Sequence, residues 1–153
     1  MLFRSYSKIE MLEWFGGLYE ENGVVVQPSA KVRKCLIETG RISRLGKQVE
    51  RSLILTTLNE PLVYEGPEDP QEIWATGDGF VSRLSVGISG KRVMRVRPQF
   101  MPWSLAVPAV LLEGAGLDLD ELERIVQLAG QATGIGDGRA VGYGRFVGEV
   151  EER

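Results

Sequence analysis

The chain has 153 residues, 43% of them hydrophobic and 25% charged, with a formal net charge of −3. That length suits one domain able to bury a core without staples, and no apolar run approaches the length of a membrane span. The acidic total argues against a generally basic nucleic-acid binder, while the absence of histidine removes the commonest general base, the Ser-His and Cys-His nucleophile pairs and histidine metal sites.

The single cysteine, Cys35, excludes an internal disulfide, and no charged, apolar and small-residue succession marks a signal peptide. A cytoplasmic protein is therefore expected. The acidic runs Glu20-Glu21, Glu68-Asp69 and Glu149 with Glu151 and Glu152 fall in turns or near the C-terminus and read as solvated surface rather than as a magnesium site. No catalytic constellation emerges, so a non-enzyme without cofactor is expected.

Residues 1–9 alternate loosely between apolar and polar and predict a short strand. Met11 to Tyr19 is apolar and aromatic; Gly16-Gly17 suggests a bend or bulge in a strand whose Trp14, Phe15 and Tyr19 belong to the core. Glu21-Asn22-Gly23 is a turn signal and Val24 to Val26 is β-branched throughout, which predicts a hairpin or strand extension. A helix then runs from Pro28 or Ser29 to about Gly40. Ser29 is a candidate cap, Val32, Leu36 and Thr39 share one stripe, and Lys31, Lys34 and Glu38 lie outside it. Cys35 within this helix reads as small apolar filler.

Val49 to Leu58 reads as a strand, Asn59-Glu60 as a turn and Leu62 to Tyr64 as a short strand. Gly66-Pro67-Glu68-Asp69-Pro70 is a break before a helical turn or two at Gln71 to Ala75. Within a single domain over 1–153, the stretch 59–80 most resembles an insertion.

In Val81 to Phe100, Leu84, Val86 and Ile88 share one face and Arg83, Ser85 and Gly87 the other; on the next strand Met94 and Val96 oppose Lys91, Arg95 and Arg97. If the apolar sets meet across a hairpin, a two-residue Ser-Gly turn is excluded, because it would set Leu84 against Arg95. A three-residue loop with Gly90 left-handed satisfies the parity. Arg83, Arg95 and Arg97 then share a face, where like charges cost stability unless an anion or a carboxylate lies over them. A bound anion and a solvated face with acidic neighbours from elsewhere in the chain are equally weighted readings.

Trp103 to Leu112 predicts a further strand, broken or placed at an edge by Pro108. Asp118 with Glu121 makes a capping box, and Leu119, Leu122, Ile125, Val126 and Ala129 form the apolar stripe of a helix to Gly130. Between it and a predicted last strand, Phe146 to Val150, stands the segment Gly134 to Phe146, which carries glycine at 134, 136, 138, 142 and 144. Such a run serves left-handed backbone or the close approach of another backbone; the plainer alternative is a connection whose glycines only avoid steric cost. A dinucleotide or Walker-type loop runs from strand into helix, the reverse of this order.

Gly-x-Gly, five residues including Arg139, then Gly-x-Gly, placed between the last helix and last strand, resembles the glycine-rich loop of the RAMP superfamily, the ferredoxin-like RNA-binding proteins of CRISPR systems. Val24-Val25-Val26-Gln27-Pro28-Ser29 leading into a helix with Lys31, Arg33 and Lys34 is similar to that family's extended segment, Pro-Ser and basic helix. The pieces Glu13-Trp14, Gly17-Leu18-Tyr19, Arg97-Pro98 and Gly134-Ile135-Gly136-Asp137 also resemble a group of uncharacterised bacteriophage proteins. The first resemblance implies an α+β fold of ferredoxin-like, RAMP type: an antiparallel sheet with two main helices on one face and a glycine-rich loop before the last strand.

The basic residues gather into two blocks, Lys31, Arg33, Lys34, Arg41, Arg44, Lys47 and Arg51 against Glu38 and Glu50, and Arg83, Lys91, Arg92, Arg95 and Arg97 with no acid between them. An acidic protein so arranged can present one positive face. The leading expectation is a non-catalytic binder of single-stranded RNA or DNA, RNA preferred. Its contacts would come from Lys31 and Lys34 on the basic helix, Arg83, Arg95 and Arg97 on the hairpin, and Gly134, Gly136, Arg139, Gly142, Tyr143, Gly144 and Arg145 in the loop, with Arg139 and Arg145 exposed. The alternative is a protein-interaction module, such as a phage factor that binds a host protein, with no nucleic acid and no membrane involved and with oligomers allowed.

Overall fold

Met11, Trp14 and Phe15, with Leu18 beyond them, recur at the i, i+3, i+4, i+7 spacing of a helix, and in the computed structural model they mark the buried side of one. Helix α1 spans Leu2–Gly17. The structure describes the backbone of residues 2–153 and the side chains of residues 8–153. The strands expected over 1–9 and Met11 to Tyr19 are thus one helix as far as Gly17, with Leu18 and Tyr19 in the connection after it and Met1 lying outside the described residues. The aromatic residues favoured a strand locally, but burial of Trp14 on one helical face outweighs that propensity. Phe15 packs beside Trp14, whereas Tyr19 is exposed.

The chain divides into two compact units, one holding residues through Gln27 with Pro61–Leu105, the other Pro28–Glu60 with Ala106–Arg153. It is mixed α and β, with small antiparallel sheets.

In the first unit, β1 (Glu20–Glu21) and β2 (Val24–Pro28) form the expected hairpin, turning at Asn22 and Gly23, both at positive φ. The rest of the unit is built from β5 (Val63–Tyr64), α4 (Pro70–Thr76), β6 (Val81–Ile88), β7 (Lys91–Pro98) and β8 (Trp103–Ser104). Helix α4 starts where the Pro-rich break predicted, with the Asp69 carboxylate accepting from the Glu72 amide. Trp14, Val25, Ile73 and Val96 make the buried core, and Tyr64, Phe80 and Phe100 pack around it. The Trp14 indole N–H donates to the Phe80 carbonyl at 2.9 Å.

The β6–β7 hairpin overturns the expected three-residue loop. Ser89 and Gly90, at φ 49° and 78°, form a two-residue turn of the primed kind whose twist suits a hairpin. Leu84 pairs with Arg95, Val86 with Val93 and Arg83 with Val96. The apolar sets do not meet. Val96 turns toward Trp14, while Leu84 and Val86 are half-buried on the opposite face and Met94 is exposed. The premise that failed is that Leu84, Val86, Met94 and Val96 bury the same side; α1 packs on β7, and the core on that side takes Val96 from β7 and Val81 from the start of β6.

In the second unit, α2 (Ser29–Ile42) is the expected basic helix. Pro28 occupies the cap position without a side-chain bond, and Ser29 is buried instead, its amide donating to the Leu58 carbonyl at 2.9 Å. Val49 to Ser52, expected in a strand, belong to α3 (Gly46–Ser52) because Val49 is needed in the core against α2; only β3 (Leu53–Leu55) remains of that strand. β4 (Asn59–Pro61) stands where a turn was expected. The segment Trp103 to Leu112 is broken at Pro108, leaving β8 and β9 (Ala109–Leu111), and β9 pairs antiparallel with β3.

The capping box of α5 (Leu119–Leu128) is present in both directions: Glu121 N–H donates to Asp118 at 2.8 Å, and Asp118 N–H to Glu121 at 3.0 Å. The helix continues through a π-type turn, Ala129–Thr133. Phe146 to Val150, the expected last strand, is not in a strand. The Phe146 amide donates to the Gly130 carbonyl at 3.1 Å, so the segment closes on the helix end rather than on a sheet.

Candidate nucleic-acid interface

The glycine segment is a self-packed loop. Gly134 and Gly144 lie against each other at its neck, where the Ile135 amide donates to the Gly144 carbonyl at 3.0 Å, and a Cβ on Gly144 would overlap the Ile135 carbonyl oxygen. Inside the loop, residues 139–141 form a 3-10 turn flanked by left-handed Gly138 and Gly142, and the Tyr143 ring rests on Gly138. Gly136 and Gly142 alone among the loop's glycines combine positive φ with open space where a side chain would stand.

The loop is tied to α2. Arg139 donates to the Glu38 carboxylate at 2.9 Å, and Lys34 lies 3.9 Å from the other oxygen of that carboxylate. The Thr133 and Thr39 hydroxyls are 2.6 Å apart, and Thr39 also donates to the Cys35 carbonyl at 2.8 Å. Arg139 is therefore a half-buried strut rather than the exposed cation the sequence suggested. Arg145 is exposed and passes its guanidinium over Gly134, Lys34 is exposed beside Glu38, and Tyr143 is partly exposed. Lys31 sits one turn before Lys34 on the same helix face. Of the expected binding residues, the structure thus brings together Lys34 and Arg139 around Glu38, and separately Gly134, Gly144 and Arg145.

Arg83, Arg95 and Arg97 belong to the first unit, and the hairpin register separates them. Arg95 and Arg97 point to one face and Arg83 to the other. Carboxylates of α1 answer two of them: Arg83 pairs with Glu10 at 3.1 Å and Arg97 with Glu13 at 2.8 Å. Acidic neighbours from elsewhere in the chain, one of the two readings open at the sequence level, are what the structure places there. A Cβ on Gly17 would meet Arg97 Cδ at 3.0 Å and Pro98 Cδ at 3.2 Å. Glu13-Trp14, Gly17 and Arg97-Pro98 therefore meet in one packing arrangement.

Four cations that in the sequence are only part of a basic block stand together in the second unit. Arg41, Arg44, Lys47 and Arg51 line a cleft of about 430 Å³ between the end of α2 and α3, with Glu50 and Gln48. Their spacing was legible, but their convergence depends on the turn between the helices.

Cys35 is buried, and burial pushes its thiol above the usual value of 9.0, against the pull of Arg139. A raised acid pKa leaves the native state favoured fully below the unfolded value and progressively less as pH rises through the folded one. Tyr64, raised from 10.0 by burial and by Glu68, acts in the same direction. The expected outcome is an unfolding free energy that declines above about pH 9, with the native thiol slow toward a disulfide reagent at pH 8 and fast in denaturant; rapid native labelling would contradict the packing around Cys35.

No protein-family model, no curated protein and no solved structure matches the chain.

Proposed function

We propose that the protein is a non-catalytic binder of single-stranded nucleic acid, RNA preferred, and that its two strand-helix halves are related to the ferredoxin-like RAMP type. The observation that carries the reading is the loop's setting. A glycine loop follows α5 and is fastened to the basic helix α2 through Arg139 and Glu38, whose carboxylate Lys34 also approaches; elsewhere the loop presents Arg145, Tyr143 and open left-handed glycines at 136 and 142. Single strands are held by cations that follow the backbone and by rings that stack on bases. Backbone without side chains lets phosphates come close to amides.

The test is a titration of labelled single-stranded RNA and DNA at two salt concentrations with the parent and with Lys34→Ala plus Arg145→Ala. Arg139 is left intact because its ion pair with Glu38 fastens the loop to α2. The double variant should bind more weakly, with a salt slope shallower by about 0.7 for each phosphate no longer neutralised, while its melting temperature stays near the parent's. A parent that binds neither nucleic acid at low salt sinks the reading.

A protein-interaction module, such as a phage-encoded factor that binds a host protein, is favoured by a separate observation. Val141 and Val147, in or just after the loop, are 66% and 94% exposed, apolar side chains that a protein partner would cover.

A further inference from the structure

Helix α2 ends in a Schellman motif. The Leu45 amide donates to the Gly40 carbonyl at 2.7 Å and the Arg44 amide to the Arg41 carbonyl at 3.1 Å, which places residue 44 at the position that usually carries glycine because it must be left-handed. Here it is arginine, at φ 62°. The chain keeps a strained residue where glycine would relax it, and strain of this kind collects at functional sites.

The Arg44 side chain lines the cleft with Arg41, Lys47 and Arg51. Among the described residues no carboxylate pairs with any of the four. Arg51 bonds only the Lys47 carbonyl, at 3.4 Å, and Glu50, the one acid on the cleft wall, gives its backbone carbonyl to Arg33 at 3.0 Å. Four cations and one anion share a wall that other acids leave alone, although the protein as a whole carries a net charge of −3. Gln48, on the same wall, has its amide oxygen buried without a hydrogen-bond partner, an acceptor that calls for a donor such as an ordered water or a ribose hydroxyl rather than for phosphate.

The cleft also continues a line. Lys31, Lys34, Glu38 and Arg41 fall at i, i+3, i+7 and i+10 of α2, one face of the helix, and ten residues of helix rise about 15 Å. A point anion needs no such track; a chain of phosphates does.

We infer that the cleft formed by Arg41, Arg44, Lys47 and Arg51 binds phosphate groups of a linear polyanion, the backbone of a single-stranded nucleic acid that runs along α2. The identity of the polyanion rests on the function proposed above; the phosphate site does not. Tripolyphosphate and a short labelled single-stranded RNA are the probes, and Arg44→Gln plus Lys47→Gln and Arg44→Gly are the variants. The double variant should bind RNA at least tenfold more weakly and with a shallower salt slope. Arg44→Gly should weaken binding while its melting temperature is no lower than the parent's, an outcome a merely structural arginine would not give.

RNA binding that is undiminished in both variants overturns the inference and leaves the nucleic-acid reading standing. If RNA is not bound but tripolyphosphate is, and the variants lose it, the nucleic-acid reading falls and the phosphate site remains. Binding of neither probe by the parent overturns both.

Discussion

Gly144→Ala is expected to destabilise the protein by about 3 kcal/mol or more, combining left-handed strain with overpacking against backbone. Gly144 sits at φ 76°, and its new Cβ would meet the carbonyl oxygen, carbonyl carbon and nitrogen of Ile135. All three are backbone atoms, so no side chain can rotate away. The same neck carries the Ile135 to Gly144 hydrogen bond that closes the loop. Gly142→Ala is the matched control: φ is 93° with nothing within 4 Å, leaving strain alone at about 1–2 kcal/mol. Urea midpoints of the two variants, compared at equal slope, decide the matter. If Gly144→Ala loses no more than Gly142→Ala, the backbones do not approach at the neck and the loop is held some other way.

Trp14→Ala is expected to cost about 3–5 kcal/mol in the first unit, the range for emptying a fully buried aromatic site. Trp14 has no exposed surface, touches Phe15 and Trp74 ring to ring at 4.9 Å and 5.6 Å, and donates to the Phe80 carbonyl. Trp14→Phe separates two contributions. It keeps much of the packing and drops the hydrogen bond, for a loss of about 0.5–1.5 kcal/mol, because the Phe80 carbonyl still accepts from the Gln99 amide at 2.9 Å. The unfolding of each variant, followed by far-ultraviolet circular dichroism in denaturant, gives the values. A Trp14→Ala protein as stable as the parent would show that α1 does not anchor this core.

Local chemistry was legible wherever a few adjacent residues settle their own conformation. Asn22-Gly23 turned a hairpin, Asp118 and Glu121 capped α5, Asp69-Pro70 opened α4 and Pro108 interrupted a strand, since each is a matter of φ preference or of a side chain reaching its own backbone. The basic helix α2 was equally plain from its apolar stripe. The helical period in Met11, Trp14 and Phe15 was also present in the sequence, hidden behind aromatic residues that suit strands as well.

What the sequence determined by itself was the inventory: no histidine, one cysteine, two basic blocks and a glycine-rich segment. Tertiary structure decided which of those charges are already answered. Arg83, Arg97 and Arg139 each found a carboxylate from a distant stretch of chain, while among the described residues Arg41, Arg44, Lys47 and Arg51 found none. It also decided the hairpin register, because whether Leu84 opposes Met94 or Arg95 depends on which face α1 covers. Spacing along a chain fixes which side chains share an element's face, but pairing depends on what lies opposite, and only packing brings opposite partners together.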